Sequence, residues 1–336
     1  DISRALTNSS DGSIYIVGGT YDDLDGQTNS GKRDAFISKY APNGIKEWTK
    51  LFGSNKSDSA IAVTTGTDGS AYVTGYTNGD LNGEKHSGGL DEYGYEVSDA
   101  FVTKFNPDGT HDWTKLIGTK KRTEAEGISI NNEGNIYLTG NIEQKENSEG
   151  YKRDIFISQL NRDGTQNWIE FYGSKESDYV ESIDIDSGGY LYIAGGTYGD
   201  LNGEINNGSV DAFVMRLDTQ GIDQWTKLLG TELEDEAEGI SIGIDGTIYI
   251  AGDSYGNFNS ETNVRTQDLF ISALNADGVM QWRKDYGSDS YDYLESMNIS
   301  RDGFIYITGG TGGNLNGEIN IGDHDAFITK LNVNGT

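Results

Sequence analysis

One ten-residue segment occurs six times along this chain at nearly constant spacing. It reads DGSIYIVGGT at 11–20 and returns at 68–77, 133–142, 188–197, 245–254 and 302–311, so successive copies are 57, 65, 55, 57 and 57 residues apart. A repeat of this length is typical of one supersecondary unit per copy, which buries its apolar face only by stacking on its neighbours. The chain therefore has to fold as six similar units.

Each unit reads as four short β-strands. The repeated segment is followed by a second one, DAFISKYAPNG at 34–44 in the first unit, and then by a strand that starts at a tryptophan. Alternating β-branched and aromatic residues favour strands, and the Asx-Gly pairs between them favour tight turns. No segment has a helical apolar period. We predict an all-β fold, a six-bladed β-propeller with four-stranded antiparallel blades of about 57 residues.

The sixth unit lacks the tryptophan strand, so the predicted sixth blade lacks its outer strand. All five tryptophans occupy this position in the first five units, as Trp48, Trp113, Trp168, Trp225 and Trp282. We expect 23 strands in one propeller domain, 1–336, with units at about 1–57, 58–122, 123–177, 178–234, 235–291 and 292–336. Either the sixth blade has three strands or the chain was cut from a longer protein, and we favour the second explanation.

The combined pattern DGxxYxxGxT and DAFxxKxNxDGxxxWxKxxGS resembles the bacterial β-propeller repeat family known as SBBP. The resemblance covers essentially the whole chain, although the family name refers to seven blades and six units are visible here. Similar members belong to large secreted or cell-surface bacterial proteins, many from cyanobacteria, and most have no assigned activity. The resemblance thus implies a propeller fold and an extracellular or cell-surface location.

The charge of the chain restricts its partners. Its 336 residues include 54 acidic and 25 basic side chains, a formal net charge of −29. Such a surface repels nucleic acid and anionic lipid but attracts divalent cations, so we expect no nucleic-acid partner. No apolar run is long enough to span a bilayer, so we expect no membrane insertion. The chain has no cysteine, which excludes disulfides and thiolate chemistry.

The loops between second and third strands carry a recurring acidic motif. It reads DDLDGQ at 22–27, GDLNGE at 79–84 and 199–204, GNFNSE at 256–261 and GNLNGE at 313–318. Ca²⁺ takes six to eight oxygen ligands, and these motifs place oxygen donors at alternate positions. The candidate ligands are Asp23, Asp25, Asp80, Asn82, Glu84, Asp200, Asn202, Glu204, Asn314, Asn316 and Glu318. The alternative is that Asp and Asn only cap turns, because the glycine position does not match an EF-hand.

A second set of carboxylates lies near the start of the first strand, which is closest to the axis of a propeller. Glu126, Glu181, Glu238 and Glu295 share one register, with Arg4 and Ile61 in the first two units. Converging carboxylates repel one another unless a cation, a proton or Arg4 offsets their charge. A central cation is one interpretation. The other is that each carboxylate binds backbone N–H groups between blades.

The sequence offers few features that fit an enzyme, and we assign no catalytic residue. It contains no serine nucleophile motif, no His-rich metal motif and no phosphate-binding glycine loop. We predict a non-catalytic binding or adhesion module of a secreted or surface bacterial protein, with Ca²⁺ as a candidate stabilising ion. A glycan or protein ligand would bind the acidic long-loop face. The alternatives are a structural unit that assembles with copies of itself, and a Ca²⁺-dependent hydrolase or lyase using carboxylates of that face.

Overall fold

The predicted fold is confirmed: the protein is a six-bladed β-propeller whose last blade has three strands. The computed structural model describes residues 1–90, 94, 96–146, 150–256, 267–300 and 302–336. These residues form 23 strands, the predicted number, and no helix. Each blade is one antiparallel sheet in which the strands lie side by side in chain order. None of the described residues forms an apolar helix of the length that crosses a membrane.

The strands of the first three blades are as follows. Blade 1 contains β1 (Ile2–Asn8), β2 (Ile14–Thr20), β3 (Asp34–Tyr40) and β4 (Lys46–Phe52). Blade 2 contains β5 (Asp58–Thr65), β6 (Ala71–Thr77), β7 (Asp99–Phe105) and β8 (His111–Ile117). Blade 3 contains β9 (Thr123–Ile130), β10 (Ile136–Glu146), β11 (Gly150–Leu160) and β12 (Gln166–Tyr172).

The last three blades repeat this arrangement. Blade 4 contains β13 (Asp178–Ile185), β14 (Leu191–Thr197), β15 (Asp211–Leu217) and β16 (Asp223–Leu228). Blade 5 contains β17 (Asp235–Ile242), β18 (Ile248–Ser254), β19 (Asp268–Leu274) and β20 (Met280–Tyr286). Blade 6 contains β21 (Asp292–Ile299), β22 (Ile305–Thr311) and β23 (Asp325–Leu331).

The chain divides into two compact units. Unit 1, Asp1–Tyr172, holds blades 1–3, and unit 2, Gly173–Thr336, holds blades 4–6. Within each unit the first strand of one blade contacts the first strand of the next. The core lies between successive blades. In unit 1, for example, Val17 and Ile37 of blade 1 pack with Ala60 and Val73 of blade 2, and all four are fully buried.

Within each unit, an aromatic pair of one blade reaches the next blade. In blade 1, Tyr15 and Trp48 contact each other with ring centroids 5.9 Å apart. The Trp48 indole N–H then donates to the carbonyl of Pro107 in blade 2, at 3.2 Å. Trp225 makes the same bond to the carbonyl of Ala276 within unit 2, at 3.1 Å. The tryptophan strand thus connects neighbouring blades as well as completing its own sheet.

The turn that receives the tryptophan has to contain glycine. Gly109 has a φ of 81°, which favours glycine, and a methyl group added there would lie 2.9 Å from the Trp48 ring. Gly44 occupies the equivalent turn of blade 1 with a φ of 80°, but nothing lies within 4 Å of that position. Gly44 and Gly109 therefore share a backbone conformation, but only Gly109 lies against a tryptophan ring.

We expect Gly109→Ala to destabilise the protein more than Gly44→Ala. Both substitutions incur the cost of a left-handed alanine, about 1–2 kcal/mol. Gly109→Ala adds the overpacking of the new methyl group against Trp48, about 1–3 kcal/mol. Chemical denaturation of the two variants measures the difference. Equal unfolding free energies would show that the tryptophan contact contributes nothing to stability.

Candidate functional site

The first strand of every blade contains a β-bulge, and the bulges fall on one register. Each strand skips one residue in its pairing with the second strand. These bulge residues are Arg4, Ile61, Glu126, Glu181, Glu238 and Glu295. A bulge bends the strand and re-aims the side chain that it carries, and bulges are frequent next to functional sites. The four glutamates predicted as axial carboxylates are therefore all bulge residues.

A glycine opposite each bulge makes it sterically possible. A methyl group added at Gly75 would lie 2.0 Å from the carbonyl oxygen of Ser59, and one added at Gly252 would lie 1.9 Å from that of Glu236. No side chain fits at such distances. The same close approach occurs at Gly18, Gly140, Gly195 and Gly309. The glycine that all six copies share thus fixes the position of the bulge residue.

In unit 2 the bulges of blades 5 and 6 belong to an acidic cluster, which we define as Glu236, Glu238, Asp253 and Glu295. Burial, followed by the charges of Asp253, Glu236 and Glu295, raises the pKa of Glu238 to about 7. Burial raises the pKa of Asp253 to about 7 as well. Glu238 is only partly buried, so a ligand can reach it. In the described part of the chain, no lysine or arginine offsets the charges that act on Glu238.

Hydrogen bonds hold the acidic cluster in place. One Asp253 oxygen accepts the backbone N–H of Leu294 at 2.8 Å, immediately before the bulge of blade 6. The other accepts from the Gln267 amide at 2.6 Å, and Gln267 accepts in turn from the Tyr255 hydroxyl at 2.9 Å. The Tyr179 hydroxyl donates to Glu236. These bonds use Asp253 and Glu236 to link neighbouring blades, and the charges of both act on Glu238.

Unit 1 carries a mixed-charge network at the corresponding positions. Arg122 pairs with Glu124 at 2.9 Å and with Glu143 at 3.6 Å, and Arg153 pairs with Glu143 at 3.1 Å. Burial and the charge of Glu124 raise the pKa of Glu126 to about 7, although Arg153 and Arg4 oppose the shift. Units 1 and 2 therefore present different chemistry on the same scaffold, because arginine pairs with Glu124 and Glu143 in unit 1.

The acidic loop motifs form tight hairpins. In blade 2, Asn82 and Gly83 have φ values of 51° and 92°, and the flanking Leu81 and Glu84 exchange backbone hydrogen bonds of 3.1 and 2.9 Å. A two-residue hairpin of type I′ needs positive φ at both central residues, which explains the Asn-Gly pair. Asp25, Asn202 and Asn316 also have φ values between 50° and 52°. The copy at 256–261 lies outside the described residues after Gly256.

The first acid or amide of each motif caps its own loop. Its side-chain oxygen accepts the backbone N–H of the residue six positions later, at 2.9–3.0 Å. These pairs are Asp23 with Asn29, Asp80 with His86, Asp200 with Asn206, and Asn314 with Asn320. This bond stabilises the loop without an ion.

The later side chains of the motif bind the fourth strand of the same blade. In blade 2, Asn82 donates to the Thr114 hydroxyl at 2.9 Å and Glu84 pairs with Lys115 at 3.3 Å. In blade 4 the same two bonds join Asn202 to Thr226 and Glu204 to Lys227, and in blade 1 Asp25 pairs with Lys46. In blade 6, which lacks a fourth strand, Asn316 and Glu318 have no such side chains to bind among the described residues. Calcium binding by these loops stays a prediction.

The structure does not gather the candidate ligands into one metal centre. Among the described residues, no group of three or more His, Cys, Asp or Glu side chains has an arrangement that would hold a metal ion. The structure brings Glu295 close enough to Glu238 for its charge to raise the pKa of Glu238. Glu126 lies in unit 1, and Glu181 is the bulge residue of blade 4 in unit 2.

Sequence reasoning missed Glu236 and Asp253. Asp253 directly follows the glycine of its repeat, where the other units have Gly19, Tyr76, Asn141, Gly196 and Gly310. That position changes in chemistry from unit to unit, whereas the glycine before it never changes. An aspartate at this position in one unit alone was therefore the sequence feature that could have identified Asp253.

Comparisons with known proteins agree with this fold. The β-propeller repeat family, SBBP, matches residues 47–82. Regulatory protein FlaEY of Caulobacter vibrioides is 27% identical over 346 residues, which cover 89% of this chain. An uncharacterised WD repeat-containing protein, L264, of Acanthamoeba polyphaga mimivirus is 23% identical over 47% of this chain. The matched regions are 35% of FlaEY and 13% of L264, so the chain spans a minor part of both curated relatives.

A solved structure with a similar fold comes from Dyadobacter fermentans and has unknown function. It is 10% identical to this chain with a TM-score of 0.57, and the match covers 98% of this chain and 94% of that one. At this identity the likeness concerns the fold alone.

We expect the stability of the protein to fall as pH rises from about 4.5 to 7.5 through the titration of Glu238. Because its folded pKa is raised from 4.5 to about 7, the folded state holds a proton that the unfolded state has lost in this range. Glu238→Gln should remove a part of the slope worth about 1–3 kcal/mol across the range. Denaturant unfolding at several pH values measures it. The exposed Glu170→Gln is the control, and an identical slope in both variants would refute the assignment.

We expect Ca²⁺ and Mg²⁺ to raise the melting temperature equally and slightly after EDTA dialysis. Lysine ammonium groups already pair with Asp25, Glu84 and Glu204, and backbone N–H groups occupy Asp80 and Asp200. Thermal unfolding with each ion measures the effect. A rise specific to Ca²⁺ would establish folded-state binding, because a ligand at 100 times its dissociation constant stabilises by about 2.7 kcal/mol.

Proposed function

We propose that this protein, which belongs to the SBBP-type β-propeller repeat family, is a non-catalytic binding module. The observation that carries the proposal is the contrast between positions within the repeat. The glycine opposite each bulge and the tyrosine of each second strand are the same in all six units. The bulge residue is arginine in blade 1, isoleucine in blade 2 and glutamate in the other four, and the residue after that glycine is glycine in three units and tyrosine, asparagine or aspartate in the others. All six bulge residues are at least partly exposed, and residues that change on a fixed scaffold are suited to the recognition of one asymmetric ligand.

The ligand that suits the acidic cluster is a protein segment with basic side chains. Glu238 and Glu295 are adjacent carboxylates without an offsetting cation among the groups acting on Glu238 in the described structure. A lysine or arginine from a partner would relieve their mutual repulsion and gain charge-assisted hydrogen bonds. The net charge of −29 would also speed the encounter with a basic partner. The name of the relative FlaEY, a regulatory protein, fits a role in binding.

A glycan is the second candidate ligand. Tyr21 and Tyr198 expose 59% and 48% of their surface, and flat aromatic rings suit the apolar faces of sugars. Both follow the second strand of their blades, on the loop that also carries the acidic motif. We include adhesion and an extracellular or cell-surface location in the proposal on the strength of the family resemblance.

We expect a fluorescent lysine-rich peptide to bind the protein and to lose affinity in the variant Glu236→Gln/Glu238→Gln. The loss should be about tenfold, because the variant removes the charges that a basic side chain would pair with. Glu133→Gln/Glu170→Gln removes the same net charge elsewhere and is the matched control. Fluorescence polarisation at two salt concentrations gives the affinities.

Three outcomes would overturn the proposal. An equal loss in both variants would indicate a non-specific charge effect. Binding of a glycan panel without binding of the peptide would favour the second candidate. Turnover of a polysaccharide or phosphate ester that Glu238→Gln abolishes would make the protein an enzyme.

A further inference from the structure

Blade 1 contains a buried arginine, Arg33, with two unpartnered nitrogens. Arg33 directly precedes β3 and is 7% exposed. Among the described residues, its Nε and Nη2 atoms have no hydrogen-bond partner. The remaining nitrogen, Nη1, donates to the Tyr76 hydroxyl of blade 2 at 3.5 Å, which is long for a hydrogen bond. A buried guanidinium is costly unless an anion pairs with it, so an anion at Arg33 would stabilise this part of the blade.

Three other blades pair the residue at this register with a carboxylate of the chain itself. In each blade it is the residue directly before the aspartate of the third strand. The pairs are Ser98 with Glu124 at 3.0 Å, Arg153 with Glu143 at 3.1 Å, and Gln267 with Asp253 at 2.6 Å. The carboxylates come from three different positions of the repeat, so the fold can deliver an acid to this register in three ways.

Blade 1 and the first strand of blade 2 have no acid at any of these three positions. The residues that replace the acids are Ser59 for Glu124, Tyr21 for Glu143 and Gly19 for Asp253. The Ser59 hydroxyl is itself buried without a partner in the described part of the chain. The repeat thus places an arginine at a register that receives a carboxylate elsewhere and supplies no carboxylate for it.

Two lysines lie beside Arg33, although the whole chain has a net charge of −29. Lys32 precedes it in the sequence, and the Lys32 N–H donates to the Lys56 carbonyl at 2.8 Å. The Glu96 carboxylate lies 4.0 Å from the Lys32 ammonium and 3.3 Å from the Lys56 ammonium. Three cations therefore share two hydrogen-bonded segments at this edge of blade 1, where they can attract an anion.

The Arg33 guanidinium rests on a glycine. A methyl group added at Gly19 would lie 2.8 Å from Nη2, and the three atoms nearest to it all belong to Arg33. The ring of Tyr21, which is 59% exposed, has its centroid 5.5 Å from Cζ of Arg33. Because the arginine side chain is long and flexible, an anion beside Tyr21 can draw the guanidinium off Gly19 and supply the acceptors that it lacks.

We propose that Arg33 and Tyr21 form a binding site for a sugar acid, a sugar ring that bears a carboxylate. The ring stacks on Tyr21, because flat aromatic rings suit the apolar faces of sugars. The carboxylate accepts two parallel hydrogen bonds from Nε and Nη2, the planar fork that matches its geometry. The site rests on the proposed binding role and specifies the glycan that is its second candidate ligand. It lies in unit 1 and shares no residue with the acidic cluster.

The test titrates the whole isotope-labelled chain with a disaccharide of glucuronic acid and glucose and follows binding by NMR. EDTA removes divalent cations, and about 0.15 M salt screens the net charge of the protein. We expect saturable binding that shifts the Nε–H signal of Arg33, which is the signal missing from Arg33→Gln. The methyl ester of the same disaccharide keeps the sugar rings without the charge. It should bind about tenfold more weakly, because it makes no charge-assisted hydrogen bond.

Replacement of the arginine tests its role directly. Arg33→Gln should weaken binding of the disaccharide about tenfold or more, since it removes the charged donors. The variant should fold, because it removes a buried charge that has two unpartnered nitrogens in the described structure. Arg162→Gln is the matched control: it removes the same charge from a surface pair with Asp68 in unit 1 and should leave the affinity unchanged.

Replacement of the glycine tests the resting position. Gly19→Ala should strengthen binding about threefold, because the methyl group keeps the guanidinium off its seat before the ligand arrives. Gly196→Ala, at the same position of blade 4, is the control, since the methyl group there meets Tyr179 instead of an arginine. A lysine-rich peptide should bind Arg33→Gln as it binds the unaltered protein, so failure of this site and failure of the acidic cluster are distinguishable.

Four results would overturn the proposal. Equal affinities for the acid and its methyl ester would show that the carboxylate is not recognised. Equal losses in Arg33→Gln and Arg162→Gln would indicate a non-specific charge effect. Weaker binding to Gly19→Ala would contradict release of the arginine from the glycine. Arg33-dependent binding of an acetylated glutamate peptide, without binding of the disaccharide, would make an acidic protein segment the ligand.

Discussion

The contact of one blade's tryptophan with the turn of the next blade supports much of this structure. Trp48 packs on Gly109 and its indole N–H donates to the carbonyl of Pro107, while Tyr15 of its own blade contacts the indole edge to face. A four-stranded sheet of short strands is marginal alone, so a blade depends on its neighbour for burial. The turn glycine serves two purposes, because it allows a positive φ and leaves room for the aromatic ring.

The bulge of the first strand gives each blade one side chain outside the regular alternation of the sheet. A regular strand would alternate its side chains between the two faces of the blade, both of which are occupied by packing. The extra residue escapes that alternation, so Glu238 and Glu295 are free to vary without loss of core contacts. The bulge requires glycine at positions 252 and 309, because a methyl group at Gly252 or Gly309 would collide with the carbonyl oxygen of the first strand.

The repeat predicted the six blades, the 23 strands and the incomplete last blade because periodicity survives substitution at single positions. It also predicted the register of Glu126, Glu181, Glu238 and Glu295. The bulges themselves were not predicted. Each one depends on the close approach of a first-strand carbonyl to a glycine on the second strand, which the repeat pattern does not reveal. The role of Asp253 was not predicted either. An aspartate that occurs in one of six copies has no evident role in the sequence until its hydrogen bond with the Leu294 N–H is known.

The hairpin of the acidic loop has a consequence for how such a protein changes over generations. Asn82 and Glu84 bind Thr114 and Lys115 of the same blade. Duplication of one repeat therefore copies the loop together with the residues that it binds. Between copies, the aromatic ring has to match the receiving turn, and the core side chains that pack between blades have to match as well. Unequal recombination can then lengthen or shorten the array one cassette at a time. Point changes at the bulge residue leave the core contacts and turns of the repeat intact.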